Sequence, residues 1–403
     1  MKSIASLIAF CIVFSATASL SDVYNEALKR QIMASGFQFP EDINPDFNVK
    51  LADIGKQFFE SRDLSYNSEI ACSDCHLKEF SSADGLPNAI GVGGHGVGRA
   101  RLSSDGLVVP RNALALWGRG SASFSTFFWD GKVSIENGEL SSQFLNKFPT
   151  DDPLMAATLL PIVEIREMIL DDYEIDHEYK KEDVDVALKL YNKILKNVSE
   201  TKMMKQLADH FGVSPDKIDI FHVGSSLAEH VKKEFAVKET KLSQYMRGQK
   251  DLTDAELHGA LLFYGKARCS MCHNGPLLSD LKFHTILFPQ TGFGKNGFGI
   301  DYGRFNVTDK PSDLFKFRTP PLIEVVNTAP YGHSGSSYSI EEAINVHFDP
   351  FGMIDFSQMT AMERTNYFHV LQTSLSDIRV PFLDEVEIQN IKGFLETLSF
   401  VSE

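Results

Sequence analysis

The sequence predicts a mainly α-helical fold built from two similar halves. Apolar residues recur at helical spacing, for example at Val184, Ala187, Leu188 and Tyr191. The strict apolar–polar alternation that is typical of strands is scarce. The pentapeptide pattern C-x-x-C-H occurs twice, and a similar helical segment precedes each copy. We therefore predict two related helical domains with long, glycine-rich loops.

The helical segments that precede the two motifs share a pattern. "LADIGKQFFES" and "LTDAELHGALLFYGKAR" both place apolar residues on one helical face. Gly55-x-x-x-Phe59 in the first segment recurs as Gly259-x-x-x-Phe263 in the second. Further along the chain, "FWDGKVSIE" resembles "HSGSSYSIE". These repeats indicate that the two halves are related by duplication.

The first 18 residues are typical of an export signal. Lys2 is followed by an apolar run from Ile4 to Phe14 and then by the small-residue cleavage site Ala16-Thr17-Ala18. The apolar run is too short to span a bilayer. We therefore expect cleavage near Ala18 and a periplasmic mature protein without a membrane span.

Charge and length limit the partners and the domain organisation. The formal net charge is −15, and an acidic surface disfavours nucleic acid and anionic lipid. The chain is long enough for two domains with cores of their own. We place the N-terminal domain at residues 19–215 and the C-terminal domain at residues 216–403, after a signal at residues 1–18.

Four of the five cysteines belong to the two C-x-x-C-H motifs. The six residues concerned are Cys72, Cys75, His76, Cys269, Cys272 and His273. In this pattern both thiols bond to the vinyl groups of haem, and the histidine is the proximal ligand of the iron. A zinc site, a thioredoxin-like pair and short disulfides are the alternatives, but none of them requires the adjacent histidine twice. We predict two covalently bound c-type haems, each in a cytochrome c-like domain with haem-wrapping loops.

Other segments connect the chain with a known family. "RNALALWG", "FFWDGK", "PIVEIREM", "FRTPPLIEVVNTAPYGHSG" and "SIEEAINVH" occur in this order. In these segments the chain resembles the bacterial di-haem cytochrome c peroxidases, the family that includes MauG. The resemblance runs from about Gly55 to the C-terminus. It implies an oxidoreductase with a peroxidatic haem in the N-terminal domain and an electron-transfer haem in the C-terminal domain.

The resemblance implies two residues near the N-terminal haem. Glu167 of "PIVEIREM" matches a catalytic glutamate, and such a carboxylate can move a proton between the peroxide oxygens. His95, in the glycine-rich loop "GVGGHGVGR", matches a histidine that caps the iron in the oxidised state and leaves on activation. The alternatives are a surface carboxylate for Glu167 and an ordinary loop histidine for His95.

Two further family features match the region between the haems. Trp129 of "FWDG" matches a tryptophan that carries electrons between them, although a buried tryptophan is more often a core residue. The side chain of Asn112 and the carbonyl oxygens of Thr328 and Pro330 match the protein ligands of a calcium ion. We therefore expect one bound Ca²⁺. Because members of the family often form homodimers, a homodimer is one expected assembly.

The sixth ligand of the C-terminal haem is left open between two residues. In the family this ligand falls at the end of the helix in "SIEEAINVH", which is His347 here. The family's peroxidases have methionine at this position, and MauG has tyrosine. Met353 in the next loop is the rival, and a helix-end histidine without iron is the third option. Because imidazole suits ferric iron, we predict His347, with a lower potential than methionine would give.

The predicted reaction is the reduction of hydrogen peroxide to water. Electrons from a small cytochrome or cupredoxin would enter at the C-terminal haem and pass to the N-terminal haem. The alternative is a MauG-like enzyme that uses peroxide to oxidise side chains of a partner protein through a high-valent di-haem state. A non-catalytic electron carrier is a third class, and it predicts that Glu167→Gln changes nothing in the reaction with peroxide.

Overall fold

The computed structural model describes residues 20–142, 150–170, 184–352, 355–357, 359–374 and 381–401. The predicted signal at residues 1–18 and the rival ligand Met353 lie outside the described residues. Within the described ranges, no helix has both the length and the apolar character needed to cross a membrane.

The fold is mainly helical, as predicted, with short strands. The helices are α1 (Leu20–Ala34), α2 (Pro40–Ile43), α3 (Val49–Glu60), α4 (Pro153–Leu159), α5 (Val184–Val198), α6 (Lys202–Phe211), α7 (Ile220–Glu234), α8 (Lys241–Met246), α9 (Asp254–Tyr264), α10 (Phe305–Thr308), α11 (Ile340–Val346), α12 (Ala361–Ser374) and α13 (Glu385–Glu396). The strands are β1 (Thr126–Phe127), β2 (Val133–Glu136), β3 (Glu139–Ser142), β4 (Phe283–His284) and β5 (Phe317–Arg318). The first three form an antiparallel sheet in chain order, and β4 pairs with β5.

Two helix pairs organise the core, and each contains the helix that precedes a C-x-x-C-H motif. Helix α3 packs along α7, and α9 packs along α13. A Cβ added to Gly55 in α3 would lie 1.8 Å from the carbonyl oxygen of Ser226. A Cβ added to Gly259 in α9 would lie 1.8 Å from the carbonyl oxygen of Asn390. Only glycine permits such a close approach of two backbones. The same glycine-dependent contact is therefore present in both halves.

Alanine at Gly55 or Gly259 is expected to destabilise the fold by about 1–3 kcal/mol or more, because the methyl group would overlap a backbone carbonyl. Gly393→Ala is the matched control. Gly393 lies in α13, and its added Cβ would meet nothing closer than 3.9 Å. Alanine there should be neutral or stabilising by up to about 1 kcal/mol. Thermal unfolding of the three variants tests this, and wild-type stability of Gly55→Ala would contradict it.

Helix contacts cross the predicted domain boundary. Helix α7 follows residue 215 but packs on α3 of the N-terminal half, and α1 at the chain's start packs on α9. The backbone N–H of Gly275 also donates to the carbonyl oxygen of Ser35 at 2.7 Å. The division into residues 19–215 and 216–403 stays a prediction.

A buried ion-pair network joins the two halves. Arg111 donates through Nε and Nη2 to Asp301, at 2.7 and 2.8 Å, and through Nη1 to Asp130 at 2.6 Å. Both carboxylates are buried. Burial raises the pKa of these carboxyls, but attraction to Arg111 outweighs it and holds each pKa below its usual value. The network therefore fixes "RNALALWG" and "FFWDGK" against the C-terminal half.

Candidate active site

Both C-x-x-C-H motifs have the same local fold. Each starts a short 3₁₀ turn, Cys72–Asp74 in the first motif and Cys269–Met271 in the second. The backbone N–H of His76 donates to the carbonyl oxygen of Cys72 at 3.0 Å, and His273 makes the same bond to Cys269 at 2.9 Å. The two motifs thus share their backbone conformation as well as their C-x-x-C-H pattern.

Backbone carbonyls orient both motif histidines. Nδ1 of His76 lies 2.8 Å from the carbonyl oxygen of Ser82, and Nδ1 of His273 lies 3.1 Å from that of Leu278. A proton on Nδ1 leaves Nε2 with its lone pair, which is the form of imidazole that ligates a metal. Burial lowers the pKa of both imidazoles to about 4. Both are therefore neutral at neutral pH and suited to bind iron.

A cavity beside the second motif is lined by Cys269, Cys272, His273 and His347. Nδ1 of His347 is 2.7 Å from the carbonyl oxygen of Ala343, so its Nε2 is also the nitrogen left for a ligand. The structure thus brings together both thiols and the two imidazoles that the sequence predicted. These are the groups that a covalently bound haem requires, and the covalent attachment stays a prediction.

Two buried arginines line the same cavity. Arg318 is fully buried, and its Nη2 has no hydrogen-bond partner among the described residues. Burial lowers the pKa of Arg318, and the second arginine, Arg119, adds to this effect. A buried cation calls for an anionic partner. Because haem carries carboxylate side chains, the residues present fit haem in this cavity.

Glu167 lies beside the first motif. Burial raises the pKa of the Cys72 thiol to about 12, and the nearby Glu167 carboxylate adds to this rise. Burial likewise raises the pKa of the Cys75 thiol, and the carboxylates of Asp84 and Glu167 add to this rise. Burial also raises the pKa of the half-buried Glu167 itself to about 7. A carboxyl with this pKa can give or take a proton near neutral pH.

The charges of Lys132 and Glu164 act on the pKa of Glu167. Neither residue was predicted from the sequence. Nζ of Lys132 donates to Oε2 of Glu164 at 2.8 Å, and Lys132 is buried. The charge of Lys132 opposes the rise in the pKa of Glu167, whereas Glu164 favours it. Both residues stand in the quoted segments "FFWDGK" and "PIVEIREM". The sequence signal that could have revealed this ion pair is the presence of a charged residue in each of the two segments.

The structure places His95 on the surface. Within the described residues, no hydrogen bond or ring contact joins it to His76 or Glu167. Its loop is nevertheless attached beside Glu167, because the N–H of Val92 donates to the carbonyl oxygens of Arg166 and Glu167 at 3.2 and 3.1 Å. The role of His95 as a movable cap stays a prediction.

Trp129 and the three predicted calcium ligands line the cavity beside the second motif, which we call the second cavity. Trp129 is buried, and its Nε1 donates to the carbonyl oxygen of Asn112 at 3.0 Å. Nδ2 of Asn112 donates to the carbonyl oxygen of Leu86 at 2.8 Å, which leaves Oδ1 as the atom available to a cation. Thr328 and Pro330 lie on the wall of the same cavity. The calcium ion stays a prediction.

Comparison with known proteins decides the family. Residues 49–251, half of the chain, match the family model of the di-haem cytochrome c peroxidases, CCP_MauG. The chain belongs to this family. Membership makes the protein an oxidoreductase of the di-haem peroxidase type and implies haem cofactors.

Relatives in this family carry two kinds of name. The chain is 28% identical over 333 residues to the cytochrome-c peroxidase IdrP1 of Pseudomonas sp. (strain SCT), covering 76% of this chain and 74% of that protein. It is 26% identical over 391 residues to the methylamine utilization protein MauG of Methylorubrum extorquens, covering 95% and 88%. The crystal structure of the dihaem peroxidase BthA from Burkholderia thailandensis has a TM-score of 0.63 at 17% identity, covering 91% and 89%, which shows the shared fold.

Proposed function

We propose that this protein reduces hydrogen peroxide to water in the periplasm, with electrons from a small cytochrome or cupredoxin. The observation that carries the proposal is Glu167, a half-buried carboxyl beside Cys72 and Cys75 with a pKa of about 7. Cleavage of the O–O bond needs a base that takes a proton from one oxygen and an acid that returns it to the other. A single carboxyl with a pKa near neutrality can perform both steps.

Two haems are proposed to complete the sites. The residues that would hold them are Cys72, Cys75 and His76 for the first, and Cys269, Cys272, His273 and His347 for the second. Bound haem supplies an iron that binds peroxide oxygen and exchanges electrons. The cations of Arg318 and Arg119 would neutralise the carboxylates of the second haem in its buried cavity.

The two neighbouring carboxyls have different roles in this proposal. Burial raises the pKa of Glu164, but attraction to Lys132 outweighs it and lowers that pKa below its ordinary value. Glu164 therefore stays ionised while Glu167 exchanges its proton. Pairs of carboxyls whose environments separate their pKa values are typical of acid–base sites.

Electrons are proposed to enter at the second site and to reach the first by way of Trp129. The segment "FFWDGK" spans both sites, because Trp129 lines the second cavity and Lys132 lies beside Glu167. A calcium ion held by Asn112, Thr328 and Pro330 would hold this segment in place. The reason is that the backbone carbonyl oxygen of Asn112 accepts the hydrogen bond from Nε1 of Trp129.

The two halves are proposed to descend from one cytochrome c-like domain with haem-wrapping loops. The helix pairs α3–α7 and α9–α13 support this, because each has the same close glycine contact and leads into the same motif. We also propose that the protein forms a homodimer, as members of the family often do.

The rate of the peroxide reaction is expected to rise as the pH increases through about 7, because ionised Glu167 is the base that starts it. Burial has moved this pKa up from the ordinary value of 4.5, so the reaction is slow at the pH where other glutamates are already ionised. Stopped-flow mixing of half-reduced protein with peroxide between about pH 5 and about pH 9 measures the profile. A flat profile across this range would contradict the assignment.

A MauG-like reaction is the second candidate, and His347 favours it. A second imidazole at the C-terminal haem would lower its potential relative to methionine. A lower potential makes it easier to hold oxidising equivalents at both haems. Peroxide would then oxidise side chains of a partner protein instead of drawing electrons from a redox carrier.

A further inference from the structure

Trp117 connects the two haem sites. Its partly buried ring lines the second cavity together with Cys269. Its Nε1 donates to the carbonyl oxygen of Ser81 at 3.0 Å and to the Oγ of Ser81 at 2.9 Å. The next residue, Ser82, accepts from Nδ1 of His76. One indole therefore contacts the wall of one site and the segment that supports the proximal histidine of the other.

Aromatic rings fill the space between Trp117 and the first site. The rings of His76 and Phe59 have centroids 6.2 Å apart, and those of Phe59 and Phe235 are 5.9 Å apart. Phe235 in turn meets Trp117 edge-on at 5.5 Å. Such packed rings exclude water, and they connect Trp117 with His76 by continuous contact.

A buried proton acceptor stands behind Ser81. Its Oγ donates to Oε2 of Glu324 at 2.9 Å, and both residues are only 7% exposed. The other partners of Glu324 are neutral donors, namely Nδ2 of Asn327 at 2.8 Å and the backbone N–H of Phe400. Within the described ranges no cation pairs with this carboxylate. An unbroken hydrogen-bonded chain therefore runs from the Trp117 indole to a buried carboxylate.

Trp129 has no such chain among the residues that the structure describes. Its Nε1 donates to the backbone carbonyl oxygen of Asn112, and a carbonyl oxygen does not take up a proton at neutral pH. The N–H group of an indole becomes far more acidic when the ring loses an electron. An oxidised Trp129 therefore keeps its N–H proton, whereas Trp117 has a path along which to release it.

We propose that Trp117 is a second, proton-coupled redox relay between the two sites, beside the route through Trp129, with Ser81 and Glu324 as its proton path. A haem held by His76 would supply the oxidising equivalent once peroxide had reacted there, and Trp117 would give up one electron to it. The N–H proton of Trp117 moves to Oγ of Ser81, and the hydroxyl proton of Ser81 moves to the carboxylate of Glu324. An electron supplied from a haem at the second site would reduce the indole again, and the two protons would return along the same path. The relay rests on the proposed peroxidase function, because peroxide supplies the oxidant.

The test uses the fact that the chain has two tryptophans. In the haem-loaded protein, Trp129→Phe leaves Trp117 as the remaining indole, and Trp117→Phe leaves Trp129. Each variant is oxidised by laser flash with a soluble ruthenium(III) polypyridyl complex, in water and in D₂O. Transient absorption and freeze-quench electron paramagnetic resonance then identify the tryptophan radical and its protonation state.

In the Trp129→Phe variant, Trp117 is expected to form a neutral radical, and to form it more slowly in D₂O than in water. The Trp117→Phe variant is expected to form no neutral tryptophan radical. Adding Ser81→Ala or Glu324→Gln to Trp129→Phe should slow formation of the neutral radical about 100-fold and remove the isotope effect, because each substitution interrupts the proton path. Thermal unfolding of these variants shows whether a loss reflects the fold. A neutral radical formed equally fast without Ser81 or Glu324 would overturn the proposal.

Peroxide added to the wild-type protein tests the proposed function separately. If peroxide does not react at all, the peroxidase proposal is wrong, whereas the flash experiment still decides whether Trp117 is coupled to Ser81 and Glu324. If peroxide reacts, Trp117→Phe should slow the delivery of electrons from the second haem to the first. An unchanged delivery rate in Trp117→Phe would overturn the relay even though the peroxidase function stands.

Discussion

Glu167→Gln is expected to slow the reaction of the half-reduced protein with peroxide by about 10²–10⁴-fold, the usual contribution of a positioned acid–base group. Glutamine keeps the size of Glu167 and can still form hydrogen bonds, but it cannot take up or release the proton. The pKa of about 7, raised by burial, makes this carboxyl suited to both tasks. Stopped-flow absorbance of the haem bands measures the second-order rate.

Glu69→Gln is the matched control for this experiment. Glu69 lies close to the first motif in sequence, is exposed, and undergoes the same loss of charge on substitution. Its rate should equal that of the wild type. If Glu167→Gln also reacts at the wild-type rate, the carboxyl does not assist O–O cleavage, and the chain behaves as an electron carrier would.

His347→Met is expected to raise the reduction potential of the second haem by a few tenths of a volt, within the range of about 0.8 V that axial ligands span. Thioether ligation favours ferrous iron relative to imidazole. His347 is the proposed ligand, and it lines the cavity with His273 while its Nδ1 is held by the carbonyl oxygen of Ala343. Spectroelectrochemical titration measures the potential.

Met353→Ala separates the two ligand candidates. If His347 is the ligand, Met353→Ala leaves the potential and the haem spectrum unchanged. The reverse result, with a large change in Met353→Ala and none in His347→Met, would show that the loop after α11 supplies the ligand.

The helices next to the motifs could be predicted from the sequence, but their partners could not. The apolar faces of α3 and α9 are local patterns, and the capping box Thr253–Glu256 marks the start of α9. Periodicity shows which face of a helix is buried and not what covers it. The packing of α7 on α3, which crosses the predicted boundary at residue 215, therefore came only from the structure.

Single residues of the site could be predicted where a motif contained them. The motif histidines and His347 were found in this way. The Lys132–Glu164 pair was missed because its members are 32 residues apart and meet only through the fold. Trp117 was not singled out for the same reason, since its bond to Ser81 spans 36 residues. The exposure of His95 is likewise a property of the folded loop.

The most direct test of the central claim is to mix the protein with peroxide, once fully oxidised and once half-reduced, and to follow the haem bands by stopped flow. We expect a fast reaction of the half-reduced form, followed by sustained turnover when reduced cytochrome c is added, with both electrons for each peroxide coming from that donor. A fast reaction of the fully oxidised form to a long-lived product, without turnover of cytochrome c, would contradict this account and favour the MauG-like reaction.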